Sequence, residues 1–263
     1  MTPNYANWVP AGMVHGMTAG AVVLWVLACM LAGWAAAAGT PIAVGGAALG
    51  LIAALACTVI GARLASMRKA FSYGGTRQLS RRIVEGVAAF VDLSAGACGL
   101  DVGCGSGALT IACAKRNPQA RMVGVDRWGK DYASFSQKLC EQNAQAEGVD
   151  NVSFQPGDAT ALPFADETFD AVTSNYVYHN ITGKNKQALL RETLRVLKKG
   201  GTFALHDLMS LRRYGDMEAF ARQLRAEGYA EVRLVDTTGG RFMSDEEARK
   251  YFLTGSLLLV GRK

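Results

Sequence analysis

The first 62 of the 263 residues contain no aspartate, glutamate, lysine or arginine. This stretch is mostly alanine, glycine, valine and leucine, whereas all 28 basic and all 22 acidic residues lie between Arg63 and Lys263. A soluble domain places charged side chains over its surface, so the missing charge argues against a soluble fold for this part of the chain. The change of composition at residue 62 predicts the main domain boundary.

Two apolar stretches within residues 1–62 are each long enough to cross a bilayer, which takes about 20 residues. They run from about residue 11 to 38 and from 42 to 62, separated by Gly39-Thr40-Pro41. No cation precedes the first stretch, which disfavours a cleaved signal peptide. We predict an α-helical transmembrane hairpin in a multi-pass protein of the cell membrane.

The net charge of +6 is concentrated directly after the apolar stretches. The cations there are Arg63, Arg68, Lys69, Arg77, Arg81 and Arg82, and no acidic residue precedes Glu85. Without these six, basic and acidic residues balance at 22 each. Cations beside an apolar span indicate the cytoplasmic side and an anionic lipid surface. We therefore expect a cytoplasmic domain after them and no nucleic-acid partner, because nucleic acids require cations spread over a recognition surface.

Residues 63–90 predict a basic amphipathic connector. Leu79, Ile83, Val87 and Phe90 recur there at helical spacing. Three places for it stay open: on the membrane, over the cofactor site as a lid, or on the sheet as a plain first helix.

Small residues in the apolar stretches are spaced for close helix packing, as Gly12-x-x-x-Gly16-x-x-x-Gly20 and Gly46-x-x-x-Gly50. This spacing suits either the hairpin itself or a homodimer. The six cysteines include no C-x-x-C pair, so neither a disulfide framework nor a metal site is expected.

From residue 99 onward, short β-rich runs alternate with helical stretches, which is typical of a doubly wound parallel sheet. Strands are predicted at 99–102, 122–126, 152–155, 171–175, 202–206, 232–236 and 256–260. Helices are predicted at 108–116, 130–147, 186–197, 216–227 and 245–251. The fold class is therefore α/β, with a seven-stranded Rossmann-like sheet in a domain over residues 91–263.

The first predicted strand runs into a glycine-rich turn and then a helix, Leu100-Asp-Val-Gly-Cys-Gly-Ser-Gly107. This arrangement binds a ligand at the carboxyl edge of the sheet, and glycines let the backbone approach it closely. The motif alone leaves two cofactors open, because Gly103-x-Gly105-x-x-Ala108 also fits the dinucleotide fingerprint of NAD enzymes.

Acidic residues favour S-adenosylmethionine (SAM). Asp101 lies two positions before the first glycine, where a carboxylate suits a cationic sulfonium better than a pyrophosphate. Asp126 ends the second strand, where it can accept hydrogen bonds from ribose hydroxyls of either cofactor. Asp158 follows the third strand and can accept from an adenine amino group, with Leu162-Pro163-Phe164 flanking the ring.

The chain resembles class I SAM-dependent methyltransferases, in particular the group that includes quinone-biosynthesis and small-molecule enzymes. The motifs that carry the resemblance are Asp101-Val-Gly-Cys-Gly-Ser-Gly107, Val125-Asp126, Gly157-Asp158-Ala159 and Phe169-Asp170-Ala171-Val172. The resemblance covers roughly residues 99–263. The resemblance implies glycines along the methionine moiety, Asp126 at the ribose, Asp158 at the adenine and Asp101 orienting the loop. The predicted cofactor-binding residues are Asp101, Gly103, Cys104, Gly105, Gly107, Asp126, Arg127, Gly157, Asp158, Ala159 and Asn175.

The acceptor is expected beyond the fourth strand, at Ser174-Asn-Tyr-Val-Tyr-His-Asn180. This run has no proline and so departs from the Asn-Pro-Pro-Tyr box of amino-directed nucleic-acid methyltransferases. His206-Asp207 ends the fifth strand on the same edge, where Asp207 can fix the tautomer of His206 or of His179. The predicted catalytic residues are Tyr176, Tyr178, His179 and His206. For His179, a structural cap at the strand end is the alternative.

These features predict a membrane-anchored SAM-dependent methyltransferase acting on a small, lipophilic or membrane-associated acceptor. Two rivals stay open: a SAM-binding regulator without catalysis, and an RNA or protein methyltransferase with a membrane address. The acceptor atom, whether carbon, nitrogen, oxygen or sulfur, is not distinguished by the sequence.

Overall fold

The computed structural model describes residues 2–129 and 134–263. The chain divides into two compact units. The helical unit is Asn7–Ser80, and the sheet unit is Met1–Ala6 together with Arg81–Lys263. Residues 2–6, ahead of the first helix, thus belong to the same unit as the sheet.

The helical unit contains the two predicted apolar helices, α1 (Ala11–Ala38) and α2 (Pro41–Phe71). Each is long enough to cross a membrane and contains an 18-residue window with a mean hydropathy of 2.2. Gly39 ends α1 in a left-handed conformation (φ 66°), and the Thr40 hydroxyl caps α2 by accepting from Ala43 N at 3.3 Å. The expected domain boundary at residue 62 falls inside α2, because the residues that follow are good helix formers.

The two apolar helices pack against each other through alanines rather than through most of the predicted glycines. A Cβ added to Gly50 would lie 3.5 Å from Ala28 Cα, and Trp25 Nε1 donates to Thr58 Oγ1 at 3.0 Å. Within the part of the chain that the structure describes, no atom lies within 4 Å of a Cβ built at Gly12, Gly16, Gly20 or Gly46. The homodimer through these glycines stays a prediction.

The sheet unit confirms the predicted seven-stranded α/β fold. Its strands are β1 (Cys98–Val102), β2 (Arg121–Asp126), β3 (Val152–Pro156), β4 (Phe169–Asn175), β5 (Leu197–Leu208), β6 (Ala230–Asp236) and β7 (Ser256–Arg262). The order across the sheet is β3-β2-β1-β4-β5-β7-β6, with β7 antiparallel to both of its neighbours and the other pairs parallel. The strand order reverses between β1 and β4, and ligands of such sheets bind at the carboxyl end of this switch point.

The helices of the sheet unit follow the predicted pattern. They are α3 (Leu79–Ala88), α4 (Ala108–Arg116), α5 (Gln137–Ala146), α6 (Lys186–Arg195), α7 (Leu211–Tyr214), α8 (Met217–Ala226) and α9 (Asp245–Lys250), of which α3 begins in the helical unit. Side chains that precede a helix cap it: Asn185 accepts from Ala188 N, and Asp216 accepts from Ala219 N. The predicted start of α5 at residue 130 lies outside the described residues.

From residue 81 onward, helix α3 belongs to the sheet unit and packs within it. A Cβ on Gly86 would lie 2.3 Å from the Phe242 ring, so this helix contacts the loop that follows β6. Ile83, Val84 and Val87 are buried on the same helix. The connector predicted over 63–90 is therefore not one element, because its first nine residues continue α2.

Candidate active site

The loop after β1 makes a sharp turn that only glycines adopt easily. Gly103, Gly105 and Gly107 have positive φ values of 74°, 57° and 82°. The amides of Gly103 and Cys104 donate to Val125 O at 2.8 and 3.0 Å, which ties the loop to the end of β2. A Cβ on Gly103 would lie 2.3 Å from Val177 Cγ2, so glycine is required there for packing as well.

Asp126 ends β2 beside this loop, and both of its carboxylate oxygens accept from the backbone. One accepts from Gly105 N at 2.9 Å and the other from Trp128 N at 2.8 Å. The side chain is partly exposed. A carboxylate has about four acceptor positions, so capacity is left for two hydroxyl donors of a ligand.

Aromatic side chains border the glycine loop. Trp128, in a left-handed conformation (φ 42°), donates from Nε1 to Gly105 O at 2.9 Å. Phe135 lies 3.8 Å from the position of a Cβ on Gly105. The Trp128 indole therefore lies against the glycine loop. Phe135 was missed because no motif includes it.

Asp101 lies beneath the loop and is almost fully buried, at 1% exposed. Its carboxylate accepts from Thr110 Oγ1 at 2.7 Å and from Thr173 Oγ1 at 3.1 Å. Burial raises the pKa of Asp101 to about 7. In this structure the group ties α4 to β4 below the loop, so it supports the loop rather than presenting its carboxylate to a ligand.

The loop after β3 carries Gly157 and Asp158. Gly157 N donates to Asp126 O at 3.0 Å, and Asp158 accepts from Thr160 N at 2.7 Å. That backbone hydrogen bond lowers the pKa of Asp158, which is therefore a carboxylate at neutral pH. The loop after β3 thus lies beside the end of β2 at the carboxyl edge of the sheet. Ala159, in the loop after β3, is partly buried.

The remaining predicted cofactor residues differ in what they expose. Within the glycine loop, Cys104 is buried, and burial raises the pKa of its thiol. It therefore offers a ligand its backbone rather than its side chain. Arg127 is exposed next to Asp126. Asn175, at the end of β4, is partly exposed and contacts His206.

The chain leaves β4 through a strained residue, since Tyr176 has a φ of 57°. Its ring lies 4.6 Å from the His206 ring and 6.1 Å from the His179 ring, between centroids. The Ser256 hydroxyl donates to Leu253 O, so the Tyr176 hydroxyl is the donor in its 2.7 Å bond to Ser256 Oγ. The Tyr176 hydroxyl is therefore engaged within the protein.

His206 is completely buried, and both ring nitrogens are hydrogen-bonded. Nε2 lies 2.9 Å from Thr237 Oγ1, and Nδ1 lies 2.7 Å from Asn175 Oδ1. Burial lowers the pKa of His206 to about 4.

His206 was predicted as a catalytic residue, and the structure places it where it does not act as a base. A histidine that is fully buried, with both nitrogens paired, has no nitrogen free to take a proton from an acceptor. It positions Asn175 instead.

Tyr178 also differs from its predicted place in the acceptor pocket. The chain forms a short 3-10 helix at Tyr178–Asn180, which turns this side chain into the hydrophobic core with no exposed surface. Its hydroxyl lies 2.6 Å from Thr193 Oγ1. Tyr178 therefore anchors the segment and does not line the site.

His179 remains at the edge of the site and pairs with Asp207. Its Nδ1 lies 2.6 Å from Asp207 Oδ1, and 17% of the side chain is exposed. The buried Asp207 also accepts from the amides of Tyr178, His179 and Leu208. Burial acts to raise the pKa of Asp207. The hydrogen bond and the charge of His179 outweigh this effect, and the pKa of Asp207 is lowered. Asp207 was not among the predicted site residues, although its cross-loop pairing with His179 was anticipated.

Comparison with known proteins bears on what this edge of the sheet does. Residues 100–205, which contain the glycine loop, Asp126, Asp158 and the β4–β5 edge, match a family described as Methyltransferase domain. The chain carries a class I SAM-dependent methyltransferase domain. This confirms the family that the four motifs indicated.

Curated relatives of the methyltransferase domain include two bacterial proteins. An uncharacterized methyltransferase of Bacillus subtilis, YcgJ, is 37% identical over 41% of this chain and 39% of its own length. A demethylmenaquinone methyltransferase of Lactobacillus johnsonii is 36% identical over 41% of this chain and 43% of its own length. The chain spans about half or less of the relatives it matches.

Solved structures share the fold of the methyltransferase domain. Geranyl diphosphate methyltransferase in complex with GPP and sinefungin has a TM-score of 0.54 at 15% identity, over 72% of this chain and 79% of its own. The [4+2]-cyclase SpnF has a TM-score of 0.53 at 22% identity, over 71% and 82%. These likenesses concern the fold alone, and a cyclase among them shows that the fold hosts other chemistry.

The methyltransferase domain also holds the start of the chain beside its glycine loop, which the sequence did not predict. Asn4 N donates to Asn143 Oδ1 at 2.7 Å, and Asn143 Nδ2 donates to Asn4 O at 3.0 Å and Ser106 O at 2.9 Å. Ser106 Oγ donates to Tyr5 O at 3.2 Å. Polar side chains on a loop and a helix carry no pattern that predicts such a distant partner.

Proposed function

We propose that this protein transfers a methyl group from SAM to a small lipophilic acceptor that partitions into membranes. The observation that carries the cofactor assignment is Asp126. Its carboxylate is held in place by Gly105 N and Trp128 N and keeps acceptor capacity at the carboxyl end of the strand switch.

The residues around Asp126 fit SAM. The backbone of Gly103–Gly107 offers a surface without side chains for the methionine end, and Asp126 fits the ribose hydroxyls. The ionised Asp158 accepts from the adenine amino group, and Trp128 and Phe135 supply apolar faces nearby. Bound SAM supplies a methyl carbon that its sulfonium activates toward displacement, so positioning provides most of the acceleration.

The acceptor side is formed by Tyr176, Asn175 and His179. The Tyr176 ring makes a partly apolar wall, and Asn175 is held by the neutral His206. Because the ionised Asp207 only accepts, His179 Nδ1 carries the proton and Nε2 keeps a lone pair. His179 therefore takes the acceptor's proton at Nε2 when the acceptor must lose one, and Asp207 positions it for this step.

Two observations support a lipophilic acceptor. The names of some relatives specify quinone substrates: demethylmenaquinone methyltransferase, and the 2-phytyl-1,4-naphtoquinone methyltransferase of Thermosynechococcus vestitus, which is 34% identical over 45% of this chain and 49% of its own length. In addition, α1 and α2 would hold the enzyme where membrane-partitioning acceptors concentrate.

We further propose that α1 and α2 cross the membrane with the methyltransferase domain in the cytoplasm. The cations at Arg63, Arg68 and Lys69 on α2 favour the cytoplasmic side for the end of that helix. Residues 2–6 belong to the sheet unit through Asn4 and Tyr5, so the chain before α1 and the chain after α2 lie on one side. Two crossings satisfy this condition, whereas a single crossing does not.

The experiment that tests the acceptor class uses the full chain reconstituted in vesicles with SAM labelled in the methyl group. Parallel reactions receive a membrane-lipid extract, a soluble-metabolite extract and RNA. We expect label in an organic-phase product of the lipid extract, lost on Asp126→Asn. Label confined to the soluble extract or to RNA would contradict a lipophilic acceptor.

A further inference from the structure

Two large hydrophobic side chains of the sheet unit face solvent. Leu211 is 75% exposed and Phe252 is 65% exposed. Among the described residues of the sheet unit, these are the large hydrophobic side chains that stand out as exposed. A folded domain leaves single apolar residues exposed by chance, so what matters is whether the two form one surface.

The sheet brings them together. Leu208 at the end of β5 pairs with Ser256 at the start of antiparallel β7. Beyond this pair, Met209 N donates to Gly255 O at 2.8 Å, and a Cβ on Gly255 would lie 3.7 Å from Ser210 N. The segments 209–214 and 251–255 therefore leave the sheet side by side. We call them the paired loops.

The paired loops border the acceptor side of the site. Ser256, where β7 begins, binds the Tyr176 hydroxyl at 2.7 Å, and His206 lies two residues before Leu208 on β5. The carboxyl end of β5 is thus shared between the acceptor wall and the paired loops.

The backbone at Phe252 is left-handed, with a φ of 60°, while neighbouring Tyr251 and Leu253 are buried. Phe252 follows the C-terminal end of α9, where Leu253 N donates to Ala248 O at 2.8 Å and closes the helix. Exposure of this ring is built into the loop.

Cations surround the two apolar side chains. Arg212 and Arg213 follow Leu211, and Arg249 and Lys250 precede Phe252, and all four are exposed. Across residues 2–129 and 134–263, neither Arg212 nor Arg213 has a carboxylate within 4 Å.

Several acidic side chains are near, and most of them make contacts elsewhere. Asp216 caps α8 through Ala219 N and lies 3.9 Å from Arg222. In α9, Asp245 accepts from Gly239 N and Glu247 from Ser244 N, whereas Glu246 lies one helical turn before Lys250. The positive charge beside the two apolar side chains therefore comes mainly from Arg212 and Arg213.

We infer that the paired loops dock onto an anionic lipid bilayer, with Leu211 and Phe252 in the interface and the four cations at the headgroups. Amphipathic surfaces with apolar and cationic side chains bind membranes in this way, and anionic lipids strengthen the binding. Two apolar side chains form a weak site alone, but α1 and α2 raise its effective concentration at the bilayer. This deepens the proposed function, on which it rests, by opening the acceptor edge directly to the lipid phase.

The test places the photo-crosslinker p-benzoylphenylalanine at single positions of the full chain. The changes are Leu211→p-benzoylphenylalanine, Phe252→p-benzoylphenylalanine and, as control, Lys199→p-benzoylphenylalanine. Lys199 is equally exposed but lies near the opposite end of β5. Each protein is reconstituted in vesicles of phosphatidylcholine alone and in vesicles in which one third is phosphatidylglycerol, and lipid adducts are counted by mass spectrometry.

We expect lipid adducts at positions 211 and 252 several-fold above those at 199. They should increase with phosphatidylglycerol, decrease with salt, and decrease when Arg212→Ala and Arg213→Ala are combined with Phe252→p-benzoylphenylalanine. Yields equal to those at position 199 in both vesicles would overturn the inference. So would adducts to a second copy of the chain in place of lipid.

SAM binding in the same vesicles separates this inference from the proposed function. Retained SAM binding without lipid adducts at 211 and 252 overturns docking by the paired loops only. Lipid adducts without SAM binding support docking and overturn the proposed activity.

Discussion

His179 Nδ1, in the 3-10 turn that follows β4, lies 2.6 Å from Asp207 Oδ1, near the end of β5. Asp207 is buried and accepts from three backbone amides as well, so its position is fixed by the fold rather than by the histidine. Asp207 is therefore the fixed member of the pair, and His179 is the member that reaches the surface. This is the arrangement of a general base held in one tautomer.

The first prediction follows from this pair. Asp207→Asn and His179→Gln should each lower kcat, with an effect of about 10²- to 10⁴-fold when the acceptor must lose a proton in the transition state. The affinity for SAM should stay nearly unchanged, because neither side chain belongs to the loops after β1, β2 and β3. Single-turnover rates and SAM calorimetry measure the two effects separately.

The pH profile distinguishes a base from a structural cap at His179. A base must be neutral, so the wild-type rate should fall on acidification and His179→Gln should abolish that part of the profile. Profiles of identical shape in both proteins would leave His179 a structural role. Comparison on a single acceptor is needed, because a thiol acceptor titrates itself.

The sequence predicted the sheet because its signals are local and strong. Each predicted strand is observed, with β1, β2 and β3 ending within one residue of expectation, since glycine turns and acidic residues mark the strand ends. The early start of β5 was missed, because Lys198-Lys199-Gly200-Gly201 has neither apolar alternation nor β propensity. The strand begins before this run because Leu197 pairs with Phe169 of β4, and the register then shifts before Thr202 pairs with Ala171.

The cofactor side of the site was easier to predict than the acceptor side. Gly103, Gly105 and Asp126 act through backbone geometry that a motif encodes directly. Whether Tyr178 or His179 faces the pocket depends on the 3-10 turn after β4. A shift of one residue in this turn exchanges the side chain in the core for the one at the site. Tertiary packing decides which of the two is observed.

The second prediction concerns the buried His206. Its pKa is about 4 in the folded protein, whereas an unfolded chain has an ordinary value of about 6.5. As the pH falls from about 6.5 to about 4, His206 takes up a proton in the unfolded state but stays neutral in the folded state. The stability that His206 contributes is therefore lost on acidification, at about 1.4 kcal/mol per pKa unit.

His206→Gln should reduce this pH dependence between about pH 6.5 and 4, so that the two proteins differ most at the upper end of the range. Thermal midpoints across the range measure the difference, and subtracting variant from wild type removes carboxylates that titrate in both. Parallel curves for the two proteins would show that His206 takes up its proton equally in both states.

The third prediction concerns topology. If α1 and α2 both cross the membrane, a protease site placed before Asn4 and a second site in the exposed loop at Gly239 should be cut from the same side of sealed vesicles. The accessible side should be the cytoplasmic one. Cleavage of the two sites from opposite sides would mean that a single helix crosses.

The central claim is that the site around Asp126 binds SAM. Isothermal calorimetry of the full chain with SAM, S-adenosylhomocysteine and NAD tests it directly, using Asp126→Asn and the exposed surface control Asp150→Asn. We expect both adenosyl ligands to bind and NAD not to bind. Asp126→Asn should weaken SAM by about 1.5–3 kcal/mol for each charge-assisted hydrogen bond lost, with Asp150→Asn equal to wild type. Binding of NAD in place of SAM, or unchanged SAM affinity in a folded Asp126→Asn protein, would contradict the account.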